Sequence, residues 1–128
     1  MSKNSKKKIL VVDDAAFTRN MLKKIINKLD YCEVVDEASN GQEAIEKYKE
    51  QSIDLITMDL VMPNMGGIEA IENLLKHDKN ALIVVVSALG QEALVLEAAK
   101  KGAKDFIQKP FKNDQVIEVM ERILLKKG

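Results

Sequence analysis

At 128 residues, with 46% hydrophobic and 31% charged side chains, the chain is long enough to bury a core as one domain and lies outside the compositions of disordered segments. Twenty basic and twenty acidic residues leave no net charge, so the basic footprint of a nucleic-acid binder is missing. The single Cys32 excludes an intramolecular disulfide, fits a reducing compartment and reads as a small apolar filler.

Met1 to Lys8 carries four lysines, and the apolar run after it, Ile9 to Val12, is too short for the core of a signal peptide. The lysines read as a solvated tail, about residues 1–7. No stretch approaches a membrane-spanning length, so a cytoplasmic protein without a membrane partner is expected. Ile9-Leu10-Val11-Val12 is short, apolar and rich in β-branched residues, as a strand buried in a parallel sheet should be. Asp13-Asp14 ends it. Phe17, Met21, Leu22, Ile25, Ile26 and Leu29 recur at helical spacing, with Arg19, Lys23, Lys24 and Lys28 on the other side. Val34-Val35, among Glu33, Asp36 and Glu37, predicts a strand at a sheet edge. Asn40-Gly41-Gln42-Glu43 has the pattern of a capping box, and Ala44, Ile45 and Tyr48 make the helix after it amphipathic.

Leu55 to Met58 predicts a buried third strand with Asp59 at its exit. Gly66-Gly67 opens a helix with Ile68, Ile71, Leu74 and Leu75 facing inward. Ala81 to Val86, the longest apolar run, predicts a central strand leaving at Ser87. A helix over 91–101 stops at Gly102. Phe106-Ile107 is a short last strand, broken by Lys109-Pro110. Val116, Ile117, Met120, Ile123 and Leu124 mark the closing helix. Strand and helix thus alternate five times, which predicts a doubly wound α/β fold with a parallel sheet covered on both faces.

In such a sheet the strand exits share one edge, and ligands bind there. That edge collects Asp13 and Asp14, Asp59, Ser87 and Lys109. A charged group at the end of an apolar strand is costly unless it has a partner or a function. Three carboxylates close together repel unless a cation joins them. Oxygen ligands on a short frame suit Mg²⁺, which binds through few carboxylates and a phosphate. With a hydroxyl and an ammonium beside it, the edge describes a cradle for a phosphoryl group and a carboxylate nucleophile. Singly, most of these residues read as caps or exposed side chains; jointly they do not. His77 lies in a polar helix end and reads as solvated.

From about Lys8 to Leu125 the chain resembles the receiver domain of bacterial two-component response regulators. The stretches that carry this are Ile9 to Asp14, Met58 to Pro63 with Gly67, Val86-Ser87-Ala88, and Gly102 to Phe111. Within the family, Asp13 to Phe17, Ser87 to Gln91 and Lys104 to Ile107 are most like single-domain chemotaxis regulators of non-enteric type. The resemblance implies a flavodoxin-like five-stranded sheet in the order 2-1-3-4-5, agreeing with the weak apolar character of strands two and five. It implies Asp59 as phosphoacceptor, and Asp14, Asp59 and the Val61 carbonyl as Mg²⁺ ligands with Asp13 holding the metal through water. Ser87 and Lys109 would grip the phosphoryl oxygens, and Phe106 would be the aromatic switch. Leu94, Val95, Leu96, Phe106, Gln108 and Phe111 would form the surface that partners read.

The implied partners are a histidine kinase as donor, a flagellar motor switch or another phospho-dependent target, and a phosphatase. The protein is expected to be a monomer that catalyses only its own phosphorylation and dephosphorylation. The chain ends with the fifth helix, leaving no room for an output domain, although a receiver cut from a longer regulator and a phosphorelay intermediate remain alternatives. An aspartate phosphatase of another α/β family would place its nucleophile in an Asp-x-Asp at the first strand, where Asp13-Asp14-Ala15 stands. A flavin module would need a phosphate-binding loop there, and two aspartates would repel the phosphate.

Overall fold

The structure is a computed structural model and describes residues 5–125. Five strands and five helices alternate: β1 Lys7–Val12, α1 Ala16–Asn27, β2 Cys32–Ala38, α2 Gly41–Glu50, β3 Leu55–Asp59, α3 Gly67–His77, β4 Ile83–Ala88, α4 Glu92–Lys101, β5 Asp105–Lys109 and α5 Asn113–Leu124. All neighbouring strands are parallel and the sheet order is β2-β1-β3-β4-β5, as expected. Lys7 belongs to β1, so the basic tail is shorter than predicted; residues 1–4 lie outside the described part.

Alternation along the strands sorts the core into two layers. Ile9, Val11, Leu55, Val84, Val86 and Ile107 face α1 and α5, where Leu22, Ile25, Ile26, Val116, Val119 and Met120 meet them. Leu10, Val12, Ile56, Met58, Ile83 and Val85 face the other way, against Ala44 and Ile45 of α2, Ala70, Ile71 and Leu74 of α3 and Ala98 of α4. Burying one such aliphatic side chain is worth ~1.5–3 kcal/mol, so truncating Leu10 or Ile56 would open a layer at its centre.

Local chemistry sets the element ends. Asn40 accepts a hydrogen bond from the Glu43 amide at 2.9 Å and caps α2. The return bond of the expected capping box is displaced by one residue: Glu43 Oε1 accepts from the Ser39 amide at 2.6 Å. Gly102 stops α4 at φ 122°, a conformation that favours glycine, while its N–H bonds the Ala98 and Ala99 carbonyls. Gly67 starts α3 pressed against the end of β3: a Cβ there would collide with the Asp59 carbonyl and the Leu60 backbone.

Candidate functional site

The sheet register builds the site. Val12 pairs with Met58 across β1 and β3, so Asp13, one residue on, comes to the end of β3 beside Asp59. Asp59 in turn pairs with Val86, and Lys109 pairs with Ala88. The result is a tight acidic cluster: oxygens of Asp13, Asp14 and Asp59 all lie within 4.8 Å of one another. Lys109 Nζ reaches into it, 3.0 Å from Asp13 Oδ2 and 3.5 Å from Asp59 Oδ1. Asp13 and Asp59 are buried, whereas Asp14 is exposed.

Asp13 is fastened at three atoms. Its N–H donates to the Ala38 carbonyl at 3.0 Å, its carbonyl accepts from Arg19 Nη1 at 2.7 Å, and its Oδ1 accepts from the Ala15 amide at 2.9 Å. Oδ2 is buried and has no hydrogen-bond donor; Lys109 touches it as an ion pair, outside a hydrogen-bonding direction. A buried carboxylate oxygen without a donor is expensive unless a cation takes it. Together with the neighbouring oxygens of Asp14 and Asp59 it makes a set of hard oxygen ligands that fits a divalent cation of the Mg²⁺ type.

The electrostatics agree with that crowding. Burial, followed by the Asp13 charge, pushes the Asp59 carboxyl up to about 6, with Asp14 adding to the rise and Lys109 opposing it. Burial works against the charge on Lys109, but Asp13 and Asp59 outweigh it and hold its pKa above the usual lysine value.

Ser87 comes to the edge from β4 and is buried. It lines a hollow of about 160 Å³ with Glu92, Val95, Phe106 and Gln108. The Phe106 ring stands half exposed at the rim of this hollow. Leu94 and Val95 pack partly against the α2/α3/α4 core layer while Leu96 is exposed, which resolves three consecutive apolar residues that one helix face cannot bury equally. Val61 and Leu89 follow the exits of β3 and β4 with 54% and 75% of their surface exposed. His77 is exposed at the end of α3, its ring edge-on to Tyr48, apart from the cluster.

Four residues stand elsewhere than expected. Phe111 packs against the α1/α5 core layer and lines an apolar groove with Phe17, Met21, Leu89 and Pro110, not the hollow beneath Phe106. Phe17 and Met21 have core periodicity but are 75% and 36% exposed, because the first turns of α1 stand beyond the end of β1, where no sheet lies beneath them. Lys109 borders the same groove. Arg19, read as an outer-face residue, is bound at both ends of its guanidinium, to Asp13 and to Glu37.

Residues 9–121 match the response regulator receiver domain family. The chain belongs to that family. The receiver is 56% identical to the chemotaxis protein CheY of Thermotoga maritima over 117 residues, covering 91% of this chain and 97% of that protein. It is 51% identical to the chemotaxis protein CheY of Bacillus subtilis, with the same coverage of both chains. Among solved structures it is similar to a CheX–CheY–BeF₃–Mg²⁺ complex from Borrelia burgdorferi, with a TM-score of 0.87 and 38% identity over 94% of this chain and 90% of that one. Family and strand order therefore agree with the reading of the sequence. Among the described residues, no helix of the receiver is long and apolar enough to cross a membrane.

Proposed function

We propose that this receiver is a phosphorylation-activated switch of chemotaxis, with Asp59 as phosphoacceptor and a histidine kinase as donor. The observation that carries this is the buried Asp59 carboxylate at the end of β3, crowded by Asp13 and Asp14 and approached by Lys109 Nζ at 3.5 Å. An Asp59 oxygen bonds to the phosphorus of a phosphohistidine as the P–N bond breaks, and the electron pair leaves with the imidazole nitrogen. The product is an acyl phosphate, which water later hydrolyses to inorganic phosphate and the Asp59 carboxylate. Lys109 gives its positive charge to the phosphoryl oxygens, and the Ser87 hydroxyl donates to one of them. Asp13, Asp14, Asp59 and the Val61 carbonyl would hold Mg²⁺, whose charge would offset the repulsion between these carboxylates and an incoming phosphoryl group. Catalysis here serves only the protein's own phosphorylation and dephosphorylation.

The relatives named chemotaxis protein CheY support a flagellar motor switch as the target. Its surface would be α4, β5 and α5, with Leu94, Val95, Phe106 and Gln108. Phe106 has room to turn inward, since the hollow beside Ser87 lies next to its ring. The CheX–CheY complex supports a second kind of protein partner, and a phosphatase is the class that would end the signal. The reading places the protein in the cytoplasm as a monomeric single domain.

Incubation with a small phosphodonor and Mg²⁺, followed by intact mass, tests the chemistry. One added phosphoryl group is expected for wild type and none for Asp59→Asn. An unchanged wild-type mass, or a phosphorylated Asp59→Asn protein, would remove Asp59 from the role.

A further inference from the structure

The acidic cluster is supported from behind by a second charged network. Arg19 on α1 spans three elements: Nη1 donates to the Asp13 carbonyl at 2.7 Å, Nε donates to Glu37 Oε1 on β2 at 2.6 Å, and its backbone lies in the second turn of α1. Lys23, one turn further along α1, donates to the other Glu37 oxygen, again at 2.6 Å. Glu37 pairs with Val11 in the sheet, two residues before Asp13, and so sits alongside the strand that carries the acids. Lys23 and then Arg19 hold its carboxyl below the usual glutamate range, which keeps it charged. The Arg19 side chain is only 18% exposed.

We propose that Arg19 is a positioning residue for the metal-binding cluster, acting through the Asp13 carbonyl and held in place by Glu37. This rests on the reading of the cluster as a Mg²⁺ site. Asp13 lies just past the end of β1. Without Arg19 its remaining hydrogen bonds are the amide to Ala38 and the carboxylate bond to Ala15. The carbonyl oxygen is the atom that moves when the peptide between Asp13 and Asp14 turns about the line joining its two Cα atoms. Fixing it fixes the direction in which Asp13 Oδ2 and the Asp14 carboxylate face Asp59. A planar guanidinium donates to a carbonyl and a carboxylate in two directions at once, which a lysine ammonium on a flexible stem does not reproduce. Partners that orient metal ligands typically change metal affinity by about 10–100-fold when removed.

The proposal is tested by the Mg²⁺ dissociation constant from isothermal titration calorimetry, with the metal-free melting temperature recorded for each protein. The proteins are wild type, Arg19→Ala, Arg19→Lys, Glu37→Gln and Arg122→Ala. Arg122 pairs with Asp105 at 2.7 Å at the other end of the molecule and controls for the loss of any partly exposed ion pair. The expected result is about a tenfold weaker Mg²⁺ affinity in Arg19→Ala and a severalfold loss in Arg19→Lys. Glu37→Gln, which keeps an acceptor for Nε, should lose less than Arg19→Ala, and Arg122→Ala should match wild type. An affinity within twofold of wild type in Arg19→Ala overturns the proposal, as does an equal loss in Arg122→Ala. Should Arg19→Ala fail to fold, an unchanged Arg19→Lys affinity overturns it equally. If wild type itself binds no Mg²⁺, the metal reading falls first, and this proposal with it.

Discussion

Asparagine at position 59 should make the metal-free protein more stable. Asp59 is buried beside Asp13 and Asp14, and its carboxyl rises from the ordinary 3.8 to about 6. That displacement corresponds to ~3 kcal/mol against the ionised form, at ~1.4 kcal/mol per pKa unit. That figure is already net of the attraction to Lys109, which keeps Asp13 as a partner at 3.0 Å; burial of the asparagine amide takes back part of it, so a gain of about 1–3 kcal/mol is expected above neutrality. The sign follows from proton counting. Between the unfolded value near 4 and the folded value near 6, native Asp59 keeps a proton that the unfolded chain has lost, so its contribution to stability falls as pH rises through that window. The advantage of Asp59→Asn should therefore be near zero at pH 4 and complete above about pH 7.

Urea denaturation of both proteins in EDTA at pH 4.5, 6.0 and 7.5 measures this; the melting difference at the highest pH should be several degrees, at roughly 4 °C per kcal/mol for a chain of this size. Saturating Mg²⁺ should shrink the gap, since wild type alone regains all three ligands. An Asp59→Asn protein no more stable than wild type at pH 7.5 would refute the reasoning. A gain that does not vary with pH would refute it too, because packing and not charge would then be the cause.

Mg²⁺ at 100 times its dissociation constant should stabilise wild type by about 2.7 kcal/mol, seen as a rise in melting temperature; no rise at millimolar Mg²⁺ would mean the cluster is not a metal site. Val61→Asn combined with Leu89→Glu should speed first-order loss of phosphate after donor removal, because the exposed apolar pair at the β3 and β4 exits cannot orient a water. Equal or slower decay would show that these side chains do not gate it. Ser87→Ala should still take up phosphate on Asp59 yet bind a flagellar-switch peptide equally in both forms, losing the ~1–3 kcal/mol typical of coupling between sites; retained discrimination would move the relay away from Ser87. Gly67→Ala should cost about 1–3 kcal/mol in urea denaturation, since its Cβ meets the Asp59 carbonyl and the Leu60 backbone, and unchanged stability would contradict that close approach.

The central strands were legible because a strand buried on both faces must be apolar throughout, as Leu55 to Met58 and Ile83 to Val86 are. The edges were less so. β2 extends over Cys32–Ala38, well past Val34-Val35, since Asp36 and Glu37 are tolerated in a strand when Lys47, Arg19 and Lys23 pair with them, and that pairing is invisible along the chain. β5 showed only Phe106-Ile107 because Asp105, Gln108 and Lys109 on either side of them are polar. Phe17 and Met21 misled for a different reason: periodicity identifies a helix face but not how far the helix overhangs the sheet. The five exit residues were readable because parallel topology alone collects them. The fastening of Asp13 by Arg19 was not, as it depends on a side chain crossing from α1 to the end of β1.

Strand alternation also separates the chemistry from its readout. Lys109 follows the α1/α5 parity of β5, shared with Ile107, and from that side it meets Asp13 and Asp59. Phe106 and Gln108 have the opposite parity, with Val85, and open toward α4. Ser87 shares that parity two residues after Val85, and lines the hollow beside Phe106. In the proposed mechanism a phosphoryl group on Asp59 therefore has one oxygen within the reach of Lys109 on one face and must recruit Ser87 from the other. Lys109 alone would retain the group without reporting it. In that mechanism the Ser87 hydroxyl would be the point where the charge gained at the acidic cluster becomes a packing change at Val95 and Phe106, because moving it would alter the wall of the hollow that the ring borders. Lys109 borders instead the groove lined by Phe17, Met21, Leu89 and Phe111, which Phe106 does not line.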